Sequence, residues 1–165
     1  MGCCNCCGSL SCNGLSNCNN NGRNQTNIYF TNVTGNVAIP FATDTTVLTL
    51  PVTTTSSLQP VKVDGVVQLQ VVLQTAVAVV FQCGITIQLL RNGTPLITET
   101  YQLGGTLSLL ATVTQTDVIP ISFVDNNTSL GTNTYTVIVN FFQRTIGLGT
   151  ITVTAQTRTL NAITF

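Results

Sequence analysis

Seven residues of one parity, Val77, Val79, Phe81, Cys83, Ile85, Ile87 and Leu89, are all apolar. The residues between them, Ala78, Val80, Gln82, Gly84, Thr86 and Gln88, are smaller or more polar. Successive side chains of a strand point to opposite sides, so this pattern predicts a strand with one buried face from Val77 to Leu89. Arg91-Asn92-Gly93-Thr94 follows. Asn-Gly between apolar runs supplies the positive φ angles that a type I′ hairpin turn requires. A two-residue loop sets Leu89 opposite Leu96 and Gly84 opposite Tyr101. The Tyr101 ring is then expected to cover the bare glycine backbone.

The same alternation recurs along the chain. Val67, Leu69, Val71 and Leu73 follow an expected turn at Asp64-Gly65. Leu107, Leu109, Ala111 and Val113 follow one at Gly104-Gly105. Ile119, Ile121 and Phe123 flank Pro120, which cannot donate to a ladder and so implies an edge strand. Tyr135, Val137, Val139 and Phe141 follow the loop from Asp125 to Gly131, and Ile151, Val153 and Ala155 follow Gly147-Leu148-Gly149. Segments 28–33, 37–41 and 46–50 are weaker strand candidates. Roughly eight to ten strands at this spacing predict an all-β protein, a jelly-roll β-sandwich over residues 28–165.

A chain of 165 residues, 44% hydrophobic, can bury a core of its own. Its polarity comes from Thr, Asn and Gln, because only 6% of residues are charged. Five cations (Arg23, Lys62, Arg91, Arg144, Arg158) and five anions (Asp44, Asp64, Glu99, Asp117, Asp125) are scattered and cancel. Without a basic stripe, nucleic acid is not an expected partner. The sequence contains no His, the commonest general base near neutral pH, and the carboxylates are isolated from one another. No catalytic residues and no cofactor are expected. No apolar run is long enough for a membrane-spanning helix, so no membrane partner is expected either. Low net charge on a weakly charged surface favours association.

Residues 1–27 have a different character. Cys3, Cys4, Cys6, Cys7, Cys12 and Cys18 account for six of the seven cysteines, amid Asn, Gly and Ser. With only Met1, Leu10 and Leu15 to bury, this arm is expected to be flexible until it docks or cross-links. Three chemistries fit it. The pairs Cys3/Cys6 and Cys4/Cys7 have metal-ligand spacing, but the doubled cysteines crowd the ligands. A disulfide knot within one chain would leave 15 pairings to choose among. Cross-links between chains suit it best: an arm of 27 residues reaches at most about 90 Å. Cys83, on the apolar face of the clearest strand, is expected as a small buried hydrophobe. The alternative is an acceptor for a neighbour's arm, which requires a reachable thiol. The start, Met1-Gly2-Cys3-Cys4-Asn5, lacks the basic and apolar regions of a signal peptide. Dense cysteine nevertheless implies an oxidising destination.

A Cys- and Asn-rich arm with doubled cysteines before a neutral Thr/Val-rich β body resembles the surface proteins of bacterial endospores in Bacillus and its relatives. The pairs Cys3-Cys4 and Cys6-Cys7, with Cys12 and Cys18, are similar to the connector of endospore appendage subunits. That resemblance implies a jelly-roll subunit whose connector bonds to its neighbours in pilus-like fibres. Leu50-Pro51-Val52-Thr53-Thr54-Thr55 and the hairpin around Asn92-Gly93 resemble exosporium proteins with trimeric, tumour-necrosis-factor-like heads. The implied function is a self-assembling subunit of a spore-surface fibre or exosporium layer. The implied partners are copies of itself and other spore-surface proteins. The implied location is the spore surface, reached from the mother cell without a signal peptide. The alternative is a trimeric binding head that recognises a surface or sugar; a phage or viral fibre component is a further reading.

Overall fold

Nine strands and no helix make up residues 26–165, which the computed structural model describes. In chain order they are β1 (Ile28–Val33), β2 (Val37–Ile39), β3 (Asp44–Thr54), β4 (Val61–Thr75), β5 (Val79–Arg91), β6 (Thr94–Leu107), β7 (Ala111–Asp125), β8 (Gly131–Ile146) and β9 (Gly149–Thr164). Their antiparallel pairing is nested: β5 with β6, β4 with β7, β3 with β8, and β1 and β2 together with β9. Further ladders, β4 with β9 and β5 with β8, roll this ribbon into two sheets. One sheet has the order β1-β9-β4-β7, with β2 continuing the β1 edge; the other is β3-β8-β5-β6. This is a jelly-roll β-sandwich.

The core lies between the two inner faces. Val67, Leu69, Val71 and Leu73 of β4 meet Phe81, Cys83, Ile85, Ile87 and Leu89 of β5 there. Tyr135, Val137, Val139 and Phe141 of β8 and Ile151, Val153 and Ala155 of β9 complete the layer. The alternation seen in the sequence is therefore the inside-outside alternation of the sandwich. Pro51, Pro95 and Pro120 fall in β3, β6 and β7, all edge strands, where a missing N–H costs least. The Asn92-Gly93 turn has φ of 49° and 82°, as type I′ requires.

Three local expectations are corrected. Asp64 and Gly65 lie inside β4, and Gly104 and Gly105 inside β6; neither pair is a turn. The real connection between β6 and β7 is at Leu109-Leu110, with Leu110 at φ 54°. Within the hairpin, a bulge between Leu89 and Leu90 adds Leu96 to β6, so Tyr101 faces Ile85 and Gly84 faces Gln102. Gly84 is covered from the other side. A bulge in β8 inserts Phe142 beside it, and a Cβ at Gly84 would meet Phe142 Cζ at 2.7 Å.

A further bulge in β9, between the partners of Val67 and Leu69, reverses that strand's parity. Buried residues are odd-numbered up to Ala155 and then become Arg158, Leu160, Ala162 and Thr164. An arginine is thereby turned inward. Its Nη1 donates to Gly35 O at 2.8 Å, Ala155 O at 2.9 Å and Gln156 O, carbonyls of the β1–β2 connection and of the bulge. The ion pairs among the described residues are Lys62–Asp64 and Arg91–Asp125, so Arg158 has no carboxylate partner there. Burial accordingly lowers its pKa.

Candidate assembly surfaces

Cys3, Cys4, Cys6, Cys7, Cys12 and Cys18 lie outside the described residues, as does nearly all of the expected arm. Cys83 is free and 1% exposed. Strand β5 is an inner strand, flanked by β6 and β8, so the thiol is not at a sheet edge. Burial pushes the Cys83 thiol up to about 11 from an ordinary 9.0. The thiolate is the nucleophile, so near neutral pH this thiol is both shielded and protonated. With a thiol reagent at pH 8, peptide mapping should find Cys83 unmodified in the native protein and modified in denaturant. Modification of native Cys83 at the rate of the arm cysteines would contradict this. The folded pKa is raised, so the stability contributed by the thiol is whole below 9.0 and is lost as pH climbs to about 11.

The chain enters the sandwich beside its own C-terminus: Asn27 N donates to Thr164 Oγ1, and Thr164 N donates to Asn27 O, both at 3.0 Å. Uncharged groups knit this end together. Phe165 N donates to Pro60 O at 3.1 Å, Gln59 Nε2 to Phe165 O at 3.2 Å, and Thr128 Oγ1 to Gln59 O at 2.6 Å. Asn133 Nδ2, fully buried, donates to Ser129 O at 2.8 Å and Thr54 Oγ1 at 3.1 Å. Arg91 and Asp125 add one ion pair at 2.7 Å. The loops at this end are thus held rigidly without presenting unpaired charge.

One side of the sandwich is bounded by two free edges, β6 and β7. The Tyr101 hydroxyl donates to Asp117 Oδ2 across the gap, linking the sheets. Burial and that hydrogen bond raise the Tyr101 pKa. The outer face of the β9-β4-β7 region is a regular neutral array. Thr150, Thr152 and Thr154 align with Gln74, Val72 and Gln70, and these with Thr112, Thr114 and Thr116. Among the described residues no three His, Cys, Asp or Glu side chains gather into a metal-binding group. The sequence showed Thr, Asn and Gln polarity and an edge strand at Pro120; the inward arginine it did not show, because a bulge leaves composition unchanged.

No protein-family model matches the chain, and no curated protein does. Among solved structures, one of the infectious bursal disease virus Gx strain is 12% identical, with a TM-score of 0.42 over 84% of this chain and 32% of that one. A subviral particle of the same virus is 15% identical, with a TM-score of 0.34 over 85% of this chain and 37% of that one. The chain spans about a third of the length of either.

Proposed function

We propose that this chain is a structural, self-assembling subunit of a bacterial spore-surface fibre or exosporium layer, locked by intermolecular disulfides from its N-terminal arm. The observation that carries the reading is the contrast between the two parts of the chain. Six cysteines crowd the first eighteen residues, whereas the body's one cysteine is sealed in the core. A folded body that offers the arm no accessible thiol favours pairing of arm with arm, in Cys3, Cys4, Cys6, Cys7, Cys12 and Cys18. The neutral Thr/Gln face of β9-β4-β7 supports non-covalent association, since burying its rows of residues 150–154, 70–74 and 112–116 desolvates no full charge, and free strand edges offer unpaired backbone groups. The role is structural rather than catalytic, and its partners are further copies of the chain. The resemblance of the arm to endospore appendage connectors supplies the spore-surface setting.

Oxidation of the purified full-length protein should convert it to polymers that survive boiling in detergent and collapse on adding reductant. Serine at all six arm positions should abolish that resistance while leaving the fold intact. A protein that stays monomeric after oxidation, or a six-serine variant with equally boiling-resistant polymers, would sink the proposal. Mass spectrometry showing only bonds closed within single chains would sink it as well.

A further inference from the structure

We propose that the subunits stack end to end, the loop end far from the arm receiving the arm-bearing end of a second copy. This deepens the reading above and rests on it.

The far end is built from the connections β4–β5, β6–β7 and β8–β9. It carries Leu109 at 64%, Leu110 at 78% and Leu148 at 70% exposure. One residue of each connection, Ala76, Leu110 and Leu148, borders a shallow, wide-open depression that continues onto Gln74, Thr112 and Thr150 of the outer β9-β4-β7 face. The single Thr75 hydroxyl lies 2.8 Å from Leu148 O and 2.6 Å from Val77 O, and its one proton is shared between carbonyls of two connections. Residues 76–78, 108–110 and 147–148 contain no charge. Leu110 also holds a left-handed backbone, φ 54°, which a bulky side chain rarely adopts. An exposed leucine in a strained conformation incurs two costs at one position, which a docking role would explain.

The arm-bearing end matches it in chemistry. Leu58, Leu130, Phe165 and Ile28 are exposed there, and Leu58 is again left-handed at φ 61°. Residues 55–60 and 126–130 carry no charge either. Strand β4 runs the whole distance between the ends, about 46 Å at roughly 3.3 Å per residue. A contact between like ends closes a dimer and cannot by itself build a fibre or layer. A contact between unlike ends leaves one of each free, and so propagates without limit. Finally, Asn27, the residue that closes the arm in sequence, pairs with Thr164 on the end that faces the next copy.

The test uses the full-length protein in reductant, followed by sedimentation over a concentration series. One variant carries Leu110→Asp and Leu148→Asp, the other Leu58→Asp and Leu130→Asp; circular dichroism confirms that each is folded. Wild type is expected to form concentration-dependent polymers, each variant to remain monomeric, and an equimolar mixture of the two to stop at dimers. The Leu58/Leu130 variant pairing through its far end would overturn the unlike-end contact. Both variants polymerising like wild type would overturn it too, and place the contact on the strand edges or faces. Wild type that is monomeric in reductant but polymerises on oxidation would overturn the stacking while leaving the disulfide proposal standing. Wild type that is monomeric under both conditions would sink both.

Discussion

Asp125→Ala lowers the unfolding free energy by about 3–5 kcal/mol, the cost of removing one member of a buried ion pair. Asp125 is 2% exposed, and its carboxylate organises three groups. Arg91 Nη1 lies 2.7 Å from both oxygens, Tyr135 hydroxyl donates to Oδ2 at 2.9 Å, and Asn127 N donates to Oδ1 at 3.0 Å. Arg91 Nη1 also donates to Asn127 O at 2.7 Å. Truncation leaves a guanidinium and a fully buried phenol facing a void. Neither can recover its water without opening the end of the sandwich. Asp125→Asn keeps the shape and loses the charge, so its cost should be smaller, about 1–3 kcal/mol. Urea unfolding of the six-serine background reads both values free of polymerisation. A loss below about 1 kcal/mol for the alanine variant would mean that water replaces the carboxylate and that the network does not hold this end.

The other ion pair makes a useful contrast. Lys62 and Asp64 approach to 3.0 Å, but their side chains are 45% and 42% exposed. Asp64 Oδ1 also accepts from Ser122 Oγ at 2.7 Å. That hydrogen bond is the main reason its carboxyl titrates below the usual range, with Lys62 contributing less. Water screens such a pair, and exposed pairs are generally worth about 0–1 kcal/mol. Geometry alone would rank the two pairs as similar; burial separates them. Arg158 is the extreme case, a buried cation that caps carbonyls in place of a carboxylate.

How far the fold was legible depended on which force acted at each position. Burial acts with period two, so the inner face of β5, from Phe81 to Leu89, could be read directly from the residues. The type I′ turn was equally plain, because Asn92-Gly93 satisfies a strict backbone requirement. Bulges were invisible. The extra residues Leu96 and Phe142, and the one in β9, change parity without changing composition, and each shifts every partner beyond it. Leu109-Leu110 looked like strand because leucine is apolar, and it forms the turn nevertheless. For the assembly surfaces, the arm cysteines and the Thr/Gln texture were legible as chemistry. The clustering of apolar loops at both ends was not, because it depends on which distant connections the topology gathers together.

Glycine was misread for a physical reason, and Gly65→Ala turns that reason into a large effect. Gly65 sits in the middle of β4, a strand paired on both sides, where glycine would ordinarily weaken the ladder. It is tolerated because β9 comes too close for any side chain. A Cβ there would run into the carbonyl oxygen of Thr159 and lie 2.9 Å from Leu160 Cδ1. Leu160 is fully buried, and the Thr159 oxygen belongs to the backbone of the neighbouring strand, so neither can move aside without disturbing the ladder. Overpacking of this kind costs about 1–3 kcal/mol, and a backbone obstacle places this site at the upper end, near 3 kcal/mol. Gly104→Ala supplies the control: its Cβ would meet nothing nearer than Phe81 O at 3.5 Å. Ordinary contact there predicts a change within about 0.5 kcal/mol, because the new methyl meets no obstacle while the unfolded chain loses some freedom. Parallel denaturant melts of the two variants decide the matter. Equal stabilities would show that β4 and β9 are not in the close register that places Leu160 over Gly65.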